Sequence, residues 1–318
     1  MIKELDAYEL KISIEEKVRG YLKIIDTGLK VPVTIINGKK PGKTIVITSG
    51  VHGCEYEGIK AAMELSEEIN PREVSGKIII FHPINISAFE SRSAGIVPED
   101  KKNLLRVFPG NKNGTVSEKI AYVLSNEFLK EADYYLDIHG GDVYEDLIPH
   151  IYYPGKAKES IIKESIELAK AFDVKYYIKS NTTNGTYTSA AINYDVPSIL
   201  IERGCLGVCG EEDVKAYKKD ILNALIELNI LSGEKTIKDF SPQEITDARY
   251  IDSKNSGCWI RYVKAGDNIK KGQKLGEIKD YFGQLIDTCY AEFDGVVLYN
   301  TAAFYVDKGS SLVAYGKI

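Results

Sequence analysis

Lys43-Thr44-Ile45-Val46-Ile47-Thr48-Ser49-Gly50-Val51-His52-Gly53-Cys54-Glu55 decides the fold class. Its first seven residues are an apolar, β-branched run that ends at a glycine, the signature of a buried strand. Residues 57–69 then carry helical spacing and stop at Asn70-Pro71. A second buried strand, Gly76–Phe81, ends at His82-Pro83. Working outward, Ser117–Leu129 reads as a helix. Its capping box from Ser117 to Ile120 is imperfect, but Glu118 favours the first turn. Ala132–Ile138 reads as a strand, Lys156–Phe172 as a helix and Ser198–Ile201 as a short apolar strand. Strands alternating with helices predict an α/β fold, a mainly parallel or mixed sheet with helices on both faces. Such sheets bind ligands beyond the carboxyl ends of their strands. His52, His139 and Glu202 each fall at or just past such an end.

The pattern changes near residue 235. The polar segment Glu234–Pro242 leads into short strands punctuated by Gly257, Gly266, Gly272, Gly276, Gly283, Gly295 and Gly309. Gly266 and Gly272 sit at two hairpin-like corners of Val263–Gln273, where positive φ is cheap for glycine. The expectation is two units: residues 1–235, and a small all-β unit over 243–318.

Composition narrows the partners. A net charge of −5 with no basic block argues against nucleic acid. No apolar run approaches the roughly 20 residues that span a bilayer. The start, Met1-Ile2-Lys3-Glu4-Leu5-Asp6, has no apolar signal region, so a cytoplasmic protein is expected. Five cysteines, an odd number and widely spread, read as reduced thiols. Cys205 and Cys209 form a C-x-x-x-C pair that reads more simply as two small residues in a Gly-rich loop. Association into a homo-oligomer is left open.

His52, Glu55 three residues later and the remote His139 make a set of two imidazoles and one carboxylate. Such a set holds zinc with a coordination position open for water, and zinc with an open position usually means hydrolysis. Cobalt or manganese also fit, and non-haem iron oxygenases use the same ligand types. Singly, each histidine reads as structural. The convergence with Glu55 at glycine-flanked strand ends favours a site. A carboxylate at a buried strand end is costly without a task or partner, which singles out Glu202. Asp142 is a candidate to orient His139, with a plain loop carboxylate as the alternative. His82 reads as a satisfied buried histidine, and His150 is unassigned.

With these residues in hand, the chain resembles the succinylglutamate desuccinylase/aspartoacylase family, the deacylase branch of the zinc carboxypeptidase superfamily. The resemblance spans nearly the whole length. It rests on His52-Gly53-Cys54-Glu55, Ser91-Arg92-Ser93, Asn103-Leu104-Leu105-Arg106-Val107-Phe108-Pro109-Gly110, Asp137-Ile138-His139-Gly140 and Ile201-Glu202-Arg203-Gly204. The C-terminal segment resembles the family's barrel-sandwich appendage. The resemblance implies hydrolysis of an amide in a small acylated amine or amino acid, with one zinc ion per chain on His52, Glu55 and His139. It implies Glu202 as general base, Arg92 as stabiliser of the oxyanion and Arg106 as binder of a substrate carboxylate. Leu105 departs from the pattern, which usually has asparagine there; leucine offers no hydrogen bond. Asn103, two residues earlier, is the candidate to take over that contact, and Tyr187 is a candidate to close over substrate. The alternatives are a metallocarboxypeptidase acting on short peptides and a zinc-containing binding protein without catalysis. The C-terminal unit favours the deacylase if it docks over the cleft.

Overall fold

A computed structural model describes residues 3–5, 12–236 and 240–318. Positions 1–2 and 6–11 of the N-terminal stretch, and 237–239 of the polar segment, lie outside the described residues. The strands are, in chain order, β1 (Lys3–Leu5), β2 (Glu16–Lys23), β3 (Lys30–Asn37), β4 (Lys40–Ser49), β5 (Ser75–Phe81) and β6 (Tyr134–His139). After them come β7 (Glu145–Leu147), β8 (His150–Pro154), β9 (Tyr176–Ser180), β10 (Ser198–Glu202) and β11 (Gln243–Ile245). All but β7 join one mixed sheet, ordered β1-β2-β3-β5-β4-β6-β10-β8-β9-β11. Its centre, β5-β4-β6-β10, is parallel. The flanking pairs β3/β5 and β10/β8 are antiparallel.

Side-chain alternation explains why helices cover both faces. Ile45, Ile47, Leu136, Ile138, Ile199 and Ile201 enter one core, whereas Val46, Tyr135 and Leu200 enter the other. The helices are α1 (Tyr56–Glu68), α2 (Ile86–Ser91), α3 (Val116–Val123), α4 (Glu159–Ala169), α5 (Thr186–Asn193) and α6 (Glu211–Glu227). The first core takes Leu65 of α1, Leu168 of α4 and Ile221 of α6; the second takes Ile120 of α3 and Ala190 of α5. Each of these leucine and isoleucine side chains, fully buried, contributes about 1.5–3 kcal/mol relative to exposure.

The span expected as one helix, Ser117–Leu129, is shorter and begins earlier. Thr115 is its N-cap, and Glu118 accepts the Thr115 N–H at 2.8 Å. Ser117 instead donates its N–H to Asp100, at 2.9 Å. After Val123 the chain turns through a π-helical segment, Leu124–Phe128, and a 3-10 turn, Leu129–Glu131.

The later strands are β12 (Ala248–Asp252), β13 (Gly257–Arg261), β14 (Asn268–Ile269), β15 (Lys274–Lys279), β16 (Leu285–Tyr290), β17 (Gly295–Thr301), β18 (Tyr305–Val306) and β19 (Ser311–Lys317). They form two antiparallel sheets, β12-β19-β17-β14 and β16-β15-β13-β18, around Trp259, Leu275, Ile278, Val297 and Val313. Gly266 and Gly272 take the positive φ expected of them, +88° and +80°.

The C-terminal sheets dock on the large one. β7 pairs with β17, placing Glu145 opposite Thr301 and Leu147 opposite Tyr299. β11 extends the large sheet beside β9. An apolar seam of Tyr176, Ile178, Ile245, Leu298 and Ala314 fills the junction. Among the described residues, no helix is long and apolar enough to cross a membrane.

Candidate active site

The chain leaves β4 for β5 on one side of it and later returns to β6 on the other, so the carboxyl ends of β4 and β6 flank a switch point. Gly50, with φ +66°, makes the turn off β4; a Cβ there would lie 2.3 Å from that of Pro83. That turn carries His52 and Glu55 towards His139, the last residue of β6. One ligating atom from each of these three residues lies within 4.8 Å of the others.

Glu55 is buried and stands between the two imidazoles. Its Oε1 is 2.6 Å from His52 Nδ1, and its Oε2 is 3.0 Å from His139 Nδ1. Burial alone would push this carboxyl up, but the two imidazoles hold it down at about 2. Burial opposes a charge on His139, yet Asp137 and Glu55 raise its pKa well above the usual value. Glu55 Oε2 and both His139 nitrogens are sealed from solvent without a well-formed hydrogen bond. Buried donors and acceptors rarely stay unpaired. Glu55 Oε2 and His139 Nδ1, facing each other beside His52 without a well-formed hydrogen bond, therefore fit a cation.

The outer nitrogens of both rings are also held. Asn103 Oδ1 accepts from His52 Nε2 at 3.1 Å and from the Leu105 N–H at 2.9 Å, which leaves His52 Nδ1 for the shared centre. His139 Nε2 is 3.2 Å from Asp137 Oδ2. Asp137 is fixed in turn by the Thr48 hydroxyl, at 2.7 Å, and by the Thr186 hydroxyl. Asp142 does not fill this place; its carboxylate accepts the Tyr144 N–H at 2.8 Å. Asp137 had a sequence signal, since residues two apart in a strand share a face. Such outer partners orient ligating imidazoles.

Glu202 ends β10 directly opposite His139. Its Oε2 is enclosed without a hydrogen bond, and burial pushes its pKa well up, with Glu55 and Glu145 adding to the effect. Arg106, exposed at the end of the 3-10 turn Leu104–Arg106, acts electrostatically on Tyr187 and Tyr250. Tyr187 is buried on α5. Leu105 turns away into the apolar core beside Phe108, so its side chain is spent on packing. Arg92 is placed differently from the rest. It caps α2 with φ +56°, is exposed, and lines an outward cavity with Tyr56, Phe89 and Cys209. Among the described residues it forms no hydrogen bond or ion pair with the His–Glu–His cluster. The position whose Cβ would face His52 is Gly95, 4.0 Å from Nε2.

Residues with no sequence signal complete the surroundings. Tyr250 of β12 lies in the field of Glu202 and Arg106, and its ring is 6.4 Å from that of Tyr299 on β17. Glu145 of β7 lies in the field of Glu55 and Asp142; burial, with their charge, raises it to about 8. His150, opposite Glu202 on β8, is fully buried, and its Nδ1–H donates to the Ile148 carbonyl at 2.7 Å. His82, half-buried rather than buried as expected, pairs with the Thr34 hydroxyl at 3.0 Å.

Comparison with known proteins shows what the chain as a whole is similar to. A curated N-alpha-acetyl-L-2,4-diaminobutyric acid deacetylase from Halomonas elongata is 28% identical over 322 residues, covering 98% of this chain and 90% of that protein. The product-bound structure of the ectoine utilization protein EutE (DoeB) from Ruegeria pomeroyi superposes with a TM-score of 0.87 at 25% identity, covering 97% of this chain and 98% of that one. A succinylglutamate desuccinylase from a Silicibacter species gives 0.83 at 25% identity, covering 96% and 98%. Residues 41–228 match the succinylglutamate desuccinylase/aspartoacylase catalytic domain, and the chain belongs to that family.

Proposed function

We propose that this protein is a zinc-dependent amidohydrolase that removes the acyl group from a small N-acyl amino acid or N-acyl amine. The observation that carries the reading is the register of Glu202 opposite His139, beside three converging ligand atoms. His52, Glu55 and His139 would hold the ion. When bound, zinc polarises the scissile carbonyl and acidifies water.

The chain's own groups supply the rest. Asn103 and Asp137 fix the two imidazoles so that each presents Nδ1 to the centre. Glu202, as a carboxylate, takes a proton from the attacking water and delivers it to the leaving nitrogen as the C–N bond breaks. Arg106 binds the substrate carboxylate. Arg92, where the family resemblance expects the oxyanion stabiliser, is exposed at the end of α2 and would take that role only by swinging inward.

Two considerations favour this over the alternatives. Tyr250 and Tyr299 crowd the Glu202 end of the cleft from the C-terminal sheets, which suits a small acyl amine better than a peptide. A binding protein has no use for a glutamate held beside the ligand set. We treat residues 1–235 as the catalytic domain and 243–318 as a docked appendage. We place the protein in the cytoplasm, where its five free thiols stay reduced.

The test is Glu202→Gln, assayed for amine release from N-acyl amino acids and for bound zinc. We expect kcat to fall by about 10²–10⁴-fold with zinc retained. Undiminished turnover removes Glu202 as the base. No turnover by the zinc-loaded native protein on any acyl amino acid favours the binding protein.

A further inference from the structure

His150 opens β8 directly opposite Glu202, the last residue of β10, in an antiparallel pair. Residues paired in this way carry their side chains on one face of the sheet, with Cβ atoms roughly 4.5–5.5 Å apart. Two residues along, Tyr152 and Leu200 are paired as well, and both contact the core under α3 and α5. The imidazole of His150 therefore borders the carboxylate that the proposed reaction uses.

The ring is fully enclosed, and its orientation is set from two sides. Nδ1 is 2.7 Å from the Ile148 carbonyl, and the ring meets that of Tyr152 edge to face with centroids 5.0 Å apart. Ile148 is itself clamped, its N–H donating to the Leu298 carbonyl of β17 at 3.0 Å. A carbonyl can only accept, so the imidazole proton is on Nδ1 and Nε2 is a bare acceptor. Burial opposes a second proton and lowers the ring's pKa to about 4. Yet Nε2 is sealed from solvent and, among the described residues, meets no donor.

Glu202 shows the matching feature. The residue as a whole is half-buried, but its Oε2 is sealed and forms no hydrogen bond among the described residues. Buried acceptors without a donor are rare and costly. Here two of them sit at paired positions. One water molecule, with an O–H for each, satisfies both. Anchoring Oε2 in this way leaves Oε1 to exchange a proton with the attacking water and the leaving nitrogen.

We propose that His150 is a positioning residue for Glu202: Nε2 and Oε2 share a buried water that fixes the plane of the carboxylate acting as base. This rests on the amidohydrolase reading. Because β17 holds Ile148 in place, docking of the C-terminal sheets sets the histidine that orients the base.

The experiment is a double-mutant cycle on zinc-loaded protein, with His150→Leu, Glu202→Gln and the two combined, assayed for amine release from a panel of N-acetyl amino acids. His150→Leu should lower kcat about tenfold, the weight of one such contact, with KM and bound zinc unchanged. His150→Gln, whose amide oxygen can stand where Nε2 does, should recover most of the loss. In the Glu202→Gln background the leucine substitution should change kcat by less than about twofold, because its effect runs through the carboxylate. A loss of equal size in both backgrounds, or no loss with Glu202 present, overturns the proposal. A second measurement reads the contact without turnover. The chain has four histidines, few enough for nitrogen NMR to resolve each ring. His150 Nε2 should resonate upfield of a free imine nitrogen, and Glu202→Leu should move it downfield. An unmoved resonance overturns the positioning. If it moves but native protein hydrolyses no compound, the contact stands and the amidohydrolase reading falls.

Discussion

His139 and Glu202 face each other on adjacent parallel strands, whereas Arg106, Glu145 and Tyr250 reach the cleft from a 3-10 turn, a three-residue strand and the C-terminal sheets. The first group is fixed by backbone pairing and a second layer of contacts. Asp137 stands behind His139, Thr48 and Thr186 behind Asp137, and the Tyr217 hydroxyl donates to the His139 carbonyl. The second group is held mainly by docking of one set of sheets on another. The contrast separates two tasks. Positions that hold a metal must be set to within a few tenths of an ångström, and strand ends provide that. Positions that select a substrate have to vary, and loops and junctions permit it.

The largest effect should come from undermining the rigid part. Asp137→Ala frees His139 to rotate and leaves Thr48 and Thr186 without their acceptor. Zinc affinity, read by competition with a chelator, should fall by about 10–100-fold. An unchanged affinity would show that the strand alone fixes the imidazole.

In the variable part, Arg106→Ala should raise KM for an N-acyl amino acid by about 10-fold or more and spare kcat, as expected on losing a charged hydrogen bond to the ground state. An amide lacking the α-carboxylate should be indifferent to the change. If kcat falls instead, Arg106 belongs with the chemistry and the contrast weakens.

His150 tests the rigid part through pH. Burial lowers its pKa to about 4, so the folded state resists a proton that the unfolded chain takes up near 6.5. The unfolded state thus binds more protons between these values, and stability falls as pH drops from about 6.5 towards 4. Metal-free protein unfolded in urea at pH 7 and pH 4.5 should show this loss, and His150→Gln should reduce it by about 1–3 kcal/mol. Parallel pH profiles in the two proteins would rule the histidine out as the source.

The smallest effect is expected at Arg92. As placed, exposed and outside the cleft, Arg92→Ala should change kcat by less than about threefold. A loss near 10²-fold, typical of removing an oxyanion donor, would mean that the α2 end closes on substrate.

Much of the rigid part could be read in the sequence. The strand Lys43–Ser49, its glycine and the His52–Glu55 spacing state their own geometry, because a β-branched run followed by a tight turn has few conformations. Glu202 was legible for a similar reason, as a charge closing the apolar run Ser198–Ile201. Asp137 could have been found from strand alternation, but Asp142 drew attention by following His139 in an open loop. The helix starting at Thr115 was misread by two residues because Ser117 also fits a cap, and its hydroxyl is instead engaged by Asp100.

The sequence by itself determined the layered α/β fold and singled out the His52, Glu55 and His139 cluster and the glutamate beside it, because periodicity, turn chemistry and strand ends are local properties of the chain. Only the tertiary structure decided that Leu105 packs inward, that Arg92 lies outside, and that Glu145, Tyr250 and Tyr299 come together where the C-terminal sheets dock. Those outcomes depend on strand order and on the docking of β7 against β17, whose paired residues lie more than a hundred residues apart. No local preference specifies such a distance; it is fixed by the burial of the seam between Ile178, Ile245 and Leu298.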